Sequence, residues 1–187
     1  MIPLKTNNFN SMKRKDSEIN HLELNLEKIA LLGEQNSEEN IDFRTFLKGQ
    51  DFKKVDRIVH RLDKEIKSQI DCQECGNCCE SLRPCVTDKE IDKLSRIAKC
   101  SKSDFISQYT ETDDLDDIKY LKDTPCKFLN NKSCSIYPDR PGDCKSYPHT
   151  QKPEFIARTL GMIDNYGICS IVFNLFERLK PELGFNK

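Results

Sequence analysis

Four cysteines fall within the eight residues Cys72-Gln73-Glu74-Cys75-Gly76-Asn77-Cys78-Cys79, and all ten cysteines of this 187-residue chain lie between positions 72 and 169. The other six, Cys85, Cys100, Cys126, Cys134, Cys144 and Cys169, arrive singly. Buried inert cysteines are common one at a time, but packing alone does not place four in one short run. Two-residue gaps let successive thiolates curl around one metal centre with backbone amides turned towards the sulfurs. Gly76 permits the unusual backbone angles such a loop needs. Disulfides are the competing reading. The polar stretch from Met1 to Asp16 carries no apolar signal core, and no segment approaches the roughly 18–20 apolar residues of a membrane span. The expected setting is therefore the cytoplasm, where reducing conditions disfavour structural disulfides.

Composition points the same way. Apolar residues make up 36% of the chain and charged residues 33%. Even with the seven glycines added, the apolar share stays below the ~45–50% of an ordinary globular domain. So lean a core needs support, and thiolates on metal are the available kind. Thirty basic residues nearly balance thirty-one acidic ones, so no net field favours nucleic acid or an anionic membrane, and neither is an expected partner.

Along the chain, residues 1–17 read as a disordered tail. Ile19, Leu22, Leu26 and Ile29 recur at helical spacing from Glu18 to Leu32, with Gly33 placed to end the helix. A polar linker, Glu34 to Asn40, precedes a short helix over Ile41 to Leu47. From Asp51 to Ile70 one stripe carries Phe52, Val55, Ile58, Val59, Leu62, Ile66 and Ile70, opposite a solvated lysine face. The cysteine loop, residues 71–84, has neither helical nor strand periodicity. Thr87 and Glu90 form a capping box for a helix to Ala98, and Ser101 caps a further turn through Phe105, Ile106 and Tyr109. The acidic run Asp113, Asp114, Asp116 and Asp117 lacks the glycine and terminal glutamate of a calcium loop and reads as a solvated linker. Short strands are expected at Tyr120-Leu121, Lys127 to Leu129 and Cys134 to Tyr137, with a hairpin turn at Asn130-Asn131. Ser170 opens a last helix with Ile171, Leu175 and Leu179 on one face, stopped by Pro181. The expected fold is α+β: a small, helix-dominated, cysteine-rich domain with a short β-hairpin over residues 71–180. A helical N-terminal extension over 18–70 precedes it, and a tail over 181–187 follows.

The spacing leaves iron–sulfur and zinc both open. Zinc sites usually join two separated Cys-x-x-Cys knuckles. Here one loop holds four thiols and the rest come singly, which leans towards the run that wraps an iron–sulfur cubane.

Further motifs fix a resemblance. Pro125-Cys126-Lys127-Phe128-Leu129, then Cys134-Ser135-Ile136-Tyr137 with Arg140-Pro141, then Cys144 with Tyr147-Pro148, and a late Cys169, follow the Cys72–Cys79 loop in order. The region from Asp71 to Ser170 resembles the CxxCxxCC family of zinc- or iron-chelating domains, also described as YkgJ-type cysteine-cluster proteins. The resemblance implies metal-ligand status for Cys72, Cys75, Cys78, Cys79, Cys126, Cys134, Cys144 and Cys169. Eight thiols suit two four-cysteine sites, or one cluster with supporting thiols. Arg140 is a candidate to neutralise cluster charge, with an ordinary turn arginine as the alternative. Cys85 and Cys100 depart from the pattern and read as free thiols; His149 is a weak ligand candidate. Cys169 is expected near a helix N-terminus, where the dipole favours a thiolate.

The function expected from these residues is metal binding, with an iron–sulfur cluster preferred over Zn2+, in electron transfer, cluster handling or chelation. The cysteine domain is also similar to that of flagellin lysine N-methylases, which makes a component or relative of protein lysine N-methylases one alternative. A zinc-stapled module whose N-terminal helices contact a protein partner is another. No acid–base pair or nucleophile stands out, so no residue is assigned a catalytic role.

Overall fold

In the computed structural model, residues 21–113 and 117–185 are described. The expected tail over residues 1–17 lies outside that range, as do Asp114 and Asp116 of the acidic run.

Asn25 sets the start of the first described helix, α1 (Leu26–Gln35), by accepting a hydrogen bond from the Lys28 amide. Periodicity places this start at Glu18, but residues 21–25 carry no regular structure, and Leu22 reaches the core from outside the helix. An asparagine whose side chain satisfies a free amide is a stronger boundary than an apolar repeat. Gly33 does not end the helix. It lies within α1, where its backbone meets that of Gly167: a Cβ on Gly33 would stand 2.6 Å from the Gly167 Cα. After Asn36 the chain enters α2 (Ser37–Leu47), so most of the expected polar linker is helical, with Glu38 and Glu39 in the first turn, at the positive end of the dipole. The amphipathic stretch forms α3 (Phe52–Lys67), capped by Asp51 and burying Val55, Val59, Leu62 and Ile66.

The cysteine loop is followed by α6 (Asp88–Ile97), where the expected capping box is present in both directions, and by α7 (Lys102–Tyr109), capped by Ser101. The single turns α4 (Cys72–Cys75) and α5 (Asn77–Ser81) lie within the loop itself. Strand β1 (Thr110–Thr112) pairs antiparallel with β2 (Lys119–Leu121), a pairing the sequence pattern did not indicate. Strand β3 (Leu129–Asn130) pairs with β4 (Ser133–Cys134) in the register Leu129↔Cys134. The hairpin turn falls on Asn131-Lys132, one residue later than expected, and both adopt positive φ, 46° and 65°. A two-residue hairpin turn of the primed type needs two left-handed residues, and this pair supplies them. Then come α8 (Gly142–Ser146), α9 (Phe155–Tyr166) and α10 (Ser170–Glu182). Pro181 lies inside the last turn of α10 rather than stopping it, and the Leu183 amide closes the turn on the Leu179 carbonyl at 3.0 Å. The fold is α+β and helix-dominated, with two small antiparallel strand pairs.

Two apolar clusters form. The larger joins α1, α2 and α3 to α9 and α10 through Ile29, Phe43, Val59, Ile66, Phe155, Tyr166, Leu175 and Phe176. The smaller packs Val86, Ile91, Leu94, Phe105, Leu121, Phe128 and Ile136 around α6, α7 and the strands. Polar ties hold the larger bundle in register. Glu154, the residue before α9, is left-handed and offers no cap; Asp56 on α3 takes over, accepting from the Glu154 and Phe155 amides at 2.8 and 2.9 Å. Lys180, buried on α10, donates to Glu39 at 2.7 Å and Glu177 at 2.9 Å. Among the described residues no helix is long and apolar enough to cross a membrane.

Gly33 in α1 and Gly161 in α9 should respond in opposite ways to alanine. Nothing lies within 4 Å of a Cβ on Gly161, so Gly161→Ala should stabilise the protein by about 0.5–1 kcal/mol through helix propensity. Gly33→Ala drives a methyl into the Gly167 backbone and should destabilise by about 1–3 kcal/mol. Urea unfolding midpoints of the two variants check both signs.

Candidate metal centre

Residues 71–84, read from the sequence as an irregular loop, contain two single helical turns. Asp71 caps α4 by accepting from the Gln73 amide at 2.8 Å. Gly76 then turns the chain with φ 64°, and α5 begins immediately after it. The same glycine lets the β3–β4 hairpin close in, because a Cβ there would collide with the Lys132 carbonyl. Gly76 thus supplies both a left-handed turn and a close approach.

Two hydrogen bonds bring distant cysteine-bearing segments to the loop. The Asn77 side-chain amide donates to the Ile168 carbonyl at 2.7 Å, bringing the N-terminal end of α10 to the loop. The Cys126 amide donates to the Cys79 carbonyl at 2.8 Å, bringing in the hairpin. Cys169 is the N-cap of α10, as expected from its place before the helix, and Cys144 sits in α8. A cavity of about 870 Å³ opens between these elements, with Cys72, Cys78, Cys79, Cys126, Cys134 and Cys144 in its wall. Among the described residues no group of three or more His, Cys, Asp or Glu side chains stands in the geometry of a bound ion; the thiols surround a space.

The thiols influence one another in two groups. Burial raises the Cys169 pKa to about 11, and Cys72 and Cys75 add to the rise. Burial also raises Cys72, again with Cys75 adding. Cys144 is pushed up to about 12 by burial and then by Cys79, Cys126 and Cys134. Cys126 and Cys134 are raised by burial and by Cys79. The groups meet at one hydrogen bond between adjacent thiols. It favours the Cys79 thiolate, whose pKa falls to about 7, and raises that of Cys78, which also feels Cys169 and Cys72.

Backbone amides work against burial at several sulfurs. Phe128 and Leu129 offer theirs to Cys126, Ile136 to Cys134, and Val172 and Ile171 to Cys169, each lowering the pKa. Amide donors two and three residues past a cysteine stabilise the thiolate, which is the form a metal binds.

The family comparison agrees with this geometry: residues 71–161 match the profile of CxxCxxCC, described as a "putative zinc- or iron-chelating domain". The segment is similar to CxxCxxCC domains. It spans just under half of the chain, and Cys169 lies eight positions beyond it. No curated protein and no solved structure matches the chain.

Other polar residues of the matched segment have defined surroundings. Arg140 stacks over the Tyr137 ring at 3.6 Å and donates to the Tyr137 carbonyl at 2.7 Å. Its charge lowers the pKa of Cys72, Cys79 and Cys134, so it serves its own turn and also stands within electrostatic reach of both thiol groups. Both ring nitrogens of His149 are occupied, Nδ1 by the Ser146 hydroxyl at 3.0 Å and Nε2 by Asp143 at 3.3 Å, which leaves neither free to ligate. The Cys85 amide donates to Asp143 at 3.1 Å, and burial and that carboxylate raise its thiol pKa. Cys100 packs against the smaller apolar cluster. Sequence reasoning missed Tyr147, although Tyr147-Pro148 belongs to the motif. Its buried hydroxyl donates to Asn165 at 2.8 Å, and its pKa is raised by burial and then by Cys169 and Cys78.

Replacing Gly76 with alanine should uncouple the hairpin from the loop and lower bound metal to less than half of the wild-type content. Cys85→Ser and Cys100→Ser should leave it unchanged. Elemental analysis of the purified variants checks all three.

Proposed function

We propose that this protein holds an iron–sulfur cluster on its cysteine thiolates and acts in electron transfer, cluster handling or metal chelation. One observation carries the reading. Cys72, Cys78, Cys79, Cys126, Cys134 and Cys144 come from separate parts of the chain to line one cavity, Cys75 and Cys169 stand within electrostatic reach of Cys72, and amides are aimed at three of the sulfurs. Bare thiolates in such a place repel one another and are poorly solvated; a cationic centre removes both penalties.

Two features favour a cluster over a lone ion. The Cys-x-x-Cys-x-x-Cys run matches the way a chain wraps a cubane. The cavity, at about 870 Å³, is far larger than a zinc ion held about 2.3 Å from each sulfur requires. Amides directed at cluster sulfurs and a nearby cation are levers on reduction potential, and Arg140 supplies the cation. A bound cluster would supply one-electron chemistry. The chain's own residues hold it, partly shield it from water and set the charge around it.

Anaerobic purification followed by iron, zinc and sulfide analysis tests the proposal. The expected protein is brown, with iron and acid-labile sulfide in equal amounts and a visible band that bleaches on reduction; Cys75→Ser should lose part or all of that load. Stoichiometric zinc without sulfide would replace the cluster with a zinc centre. A folded native preparation carrying neither would end the metal reading. Metal removal should also lower the thermal midpoint, since structural metal supplies about 10–16 kcal/mol in the small peptides where it has been measured.

A further inference from the structure

We propose that the outer face of α3 is a docking surface for an acidic segment of a protein partner, which it seats beside the thiol cavity. The docking does not depend on what the cavity holds.

Lys53, Arg57, His60 and Lys64 are all exposed. Their spacing places them in one row along the helix, within about 60° of arc and about 16 Å long. Lys54 and Arg61 flank the row and are exposed too. The carboxylates of α3 are engaged elsewhere. Asp56 accepts from the Glu154 and Phe155 amides, Asp63 holds the Thr150 hydroxyl and Lys67, and Glu65 pairs with Arg61. Among the described residues no ion pair reaches Lys53, Arg57 or Lys64.

Such a row costs stability. Lys53 and Lys54 stand in a first helical turn that holds no acidic residue, although the positive end of the dipole favours carboxylates there. Arg57 lies four residues from both Lys53 and Arg61, and like charges at that spacing repel. A face kept only for solubility mixes both signs. This one gathers a single sign in a chain of net charge -1, and its complement is negative charge on another molecule.

The surroundings favour a protein as that molecule. Phe52, at the start of the row, is 50% exposed, and an aromatic side chain beside an arginine suits a protein interface. A helix lying on a membrane offers the bilayer a whole apolar face, and that of α3 is buried in the larger cluster. The broad phosphate surface of a duplex would also meet Glu65 and Glu182, both paired with Arg61 at one edge of the row. A single acidic helix or strand is narrow enough to follow the row alone. Because α3 ends at Lys67, in the wall of the cavity, a partner aligned with the row reaches the edge of the thiol site.

Fluorescence anisotropy with the full chain tests the docking, with a labelled glutamate-rich helical peptide as probe and duplex DNA and phosphatidylserine vesicles in parallel. The peptide should bind at low salt and weaken as salt rises. Lys53→Glu/Arg57→Glu/Lys64→Glu should bind it about tenfold less tightly or worse, whereas reversing the exposed Lys48, Lys89 and Lys99 should change nothing. Should the first variant not fold, the corresponding glutamine variant takes its place with the same expected direction. Lys53→Glu alone should raise the thermal midpoint by relieving repulsion. Equal binding to both triple variants, no peptide binding by the wild type, a lowered midpoint, or tighter binding of DNA or vesicles than of peptide would overturn the proposal. A metal-free wild-type chain that still binds the peptide through the row would leave it standing and end the metal reading instead.

Discussion

Two hydrogen bonds at the five-residue helix Asn77–Ser81 join the C-terminal half of the chain to the cysteine loop. Asn77 holds the Ile168 carbonyl, and the Cys79 carbonyl receives the Cys126 amide. Cys169 begins a helix buried in the larger apolar cluster, whereas Cys126 and Cys134 pack on the smaller one. Neither cluster alone places more than part of the sulfur set. The loop between them therefore decides whether the thiols meet, and the left-handed turn at Gly76 decides whether the loop can reach.

Burial and charge oppose each other throughout the site. Removing thiols from water raises their pKa, and neighbouring thiolates raise it further. Helix starts and the hairpin return part of that loss by directing amides at Cys126, Cys134 and Cys169. Burial outweighs those donors at Cys126, Cys134 and Cys169, whose pKa values stay above that of a free thiol. The hydrophobic side chains form two separate clusters, and the cysteine-lined cavity draws its wall from both, Ile171 from the larger and Phe128 from the smaller.

Much of the architecture could be read from the residues because its signals are local. The stripe of α3, the capping box at Thr87 and Glu90, the Ser101 cap and the α10 start at Ser170 each depend on neighbours within one or two turns. The thiol loop and the hairpin were visible for the same reason. What escaped depended on distant partners. Gly33 looks like a helix stop until Gly167 is placed against it, and Ser37 to Asn40 look like linker until Phe43 and Leu47 find the core. The β1–β2 pair is three residues a side, too short for alternation to register. Tyr147 had no assignable role because nothing in its own stretch shows that it lies against Cys169 and Asn165.

The contact between Gly33 and Gly167 reaches beyond packing. Gly167 stands two residues ahead of Cys169, so the backbone of α1 sets the height at which that sulfur enters the site. Helices that contribute no thiol thereby act as a gauge for one. Any drift of α1 along its axis becomes a displacement of Cys169 relative to the cysteine loop.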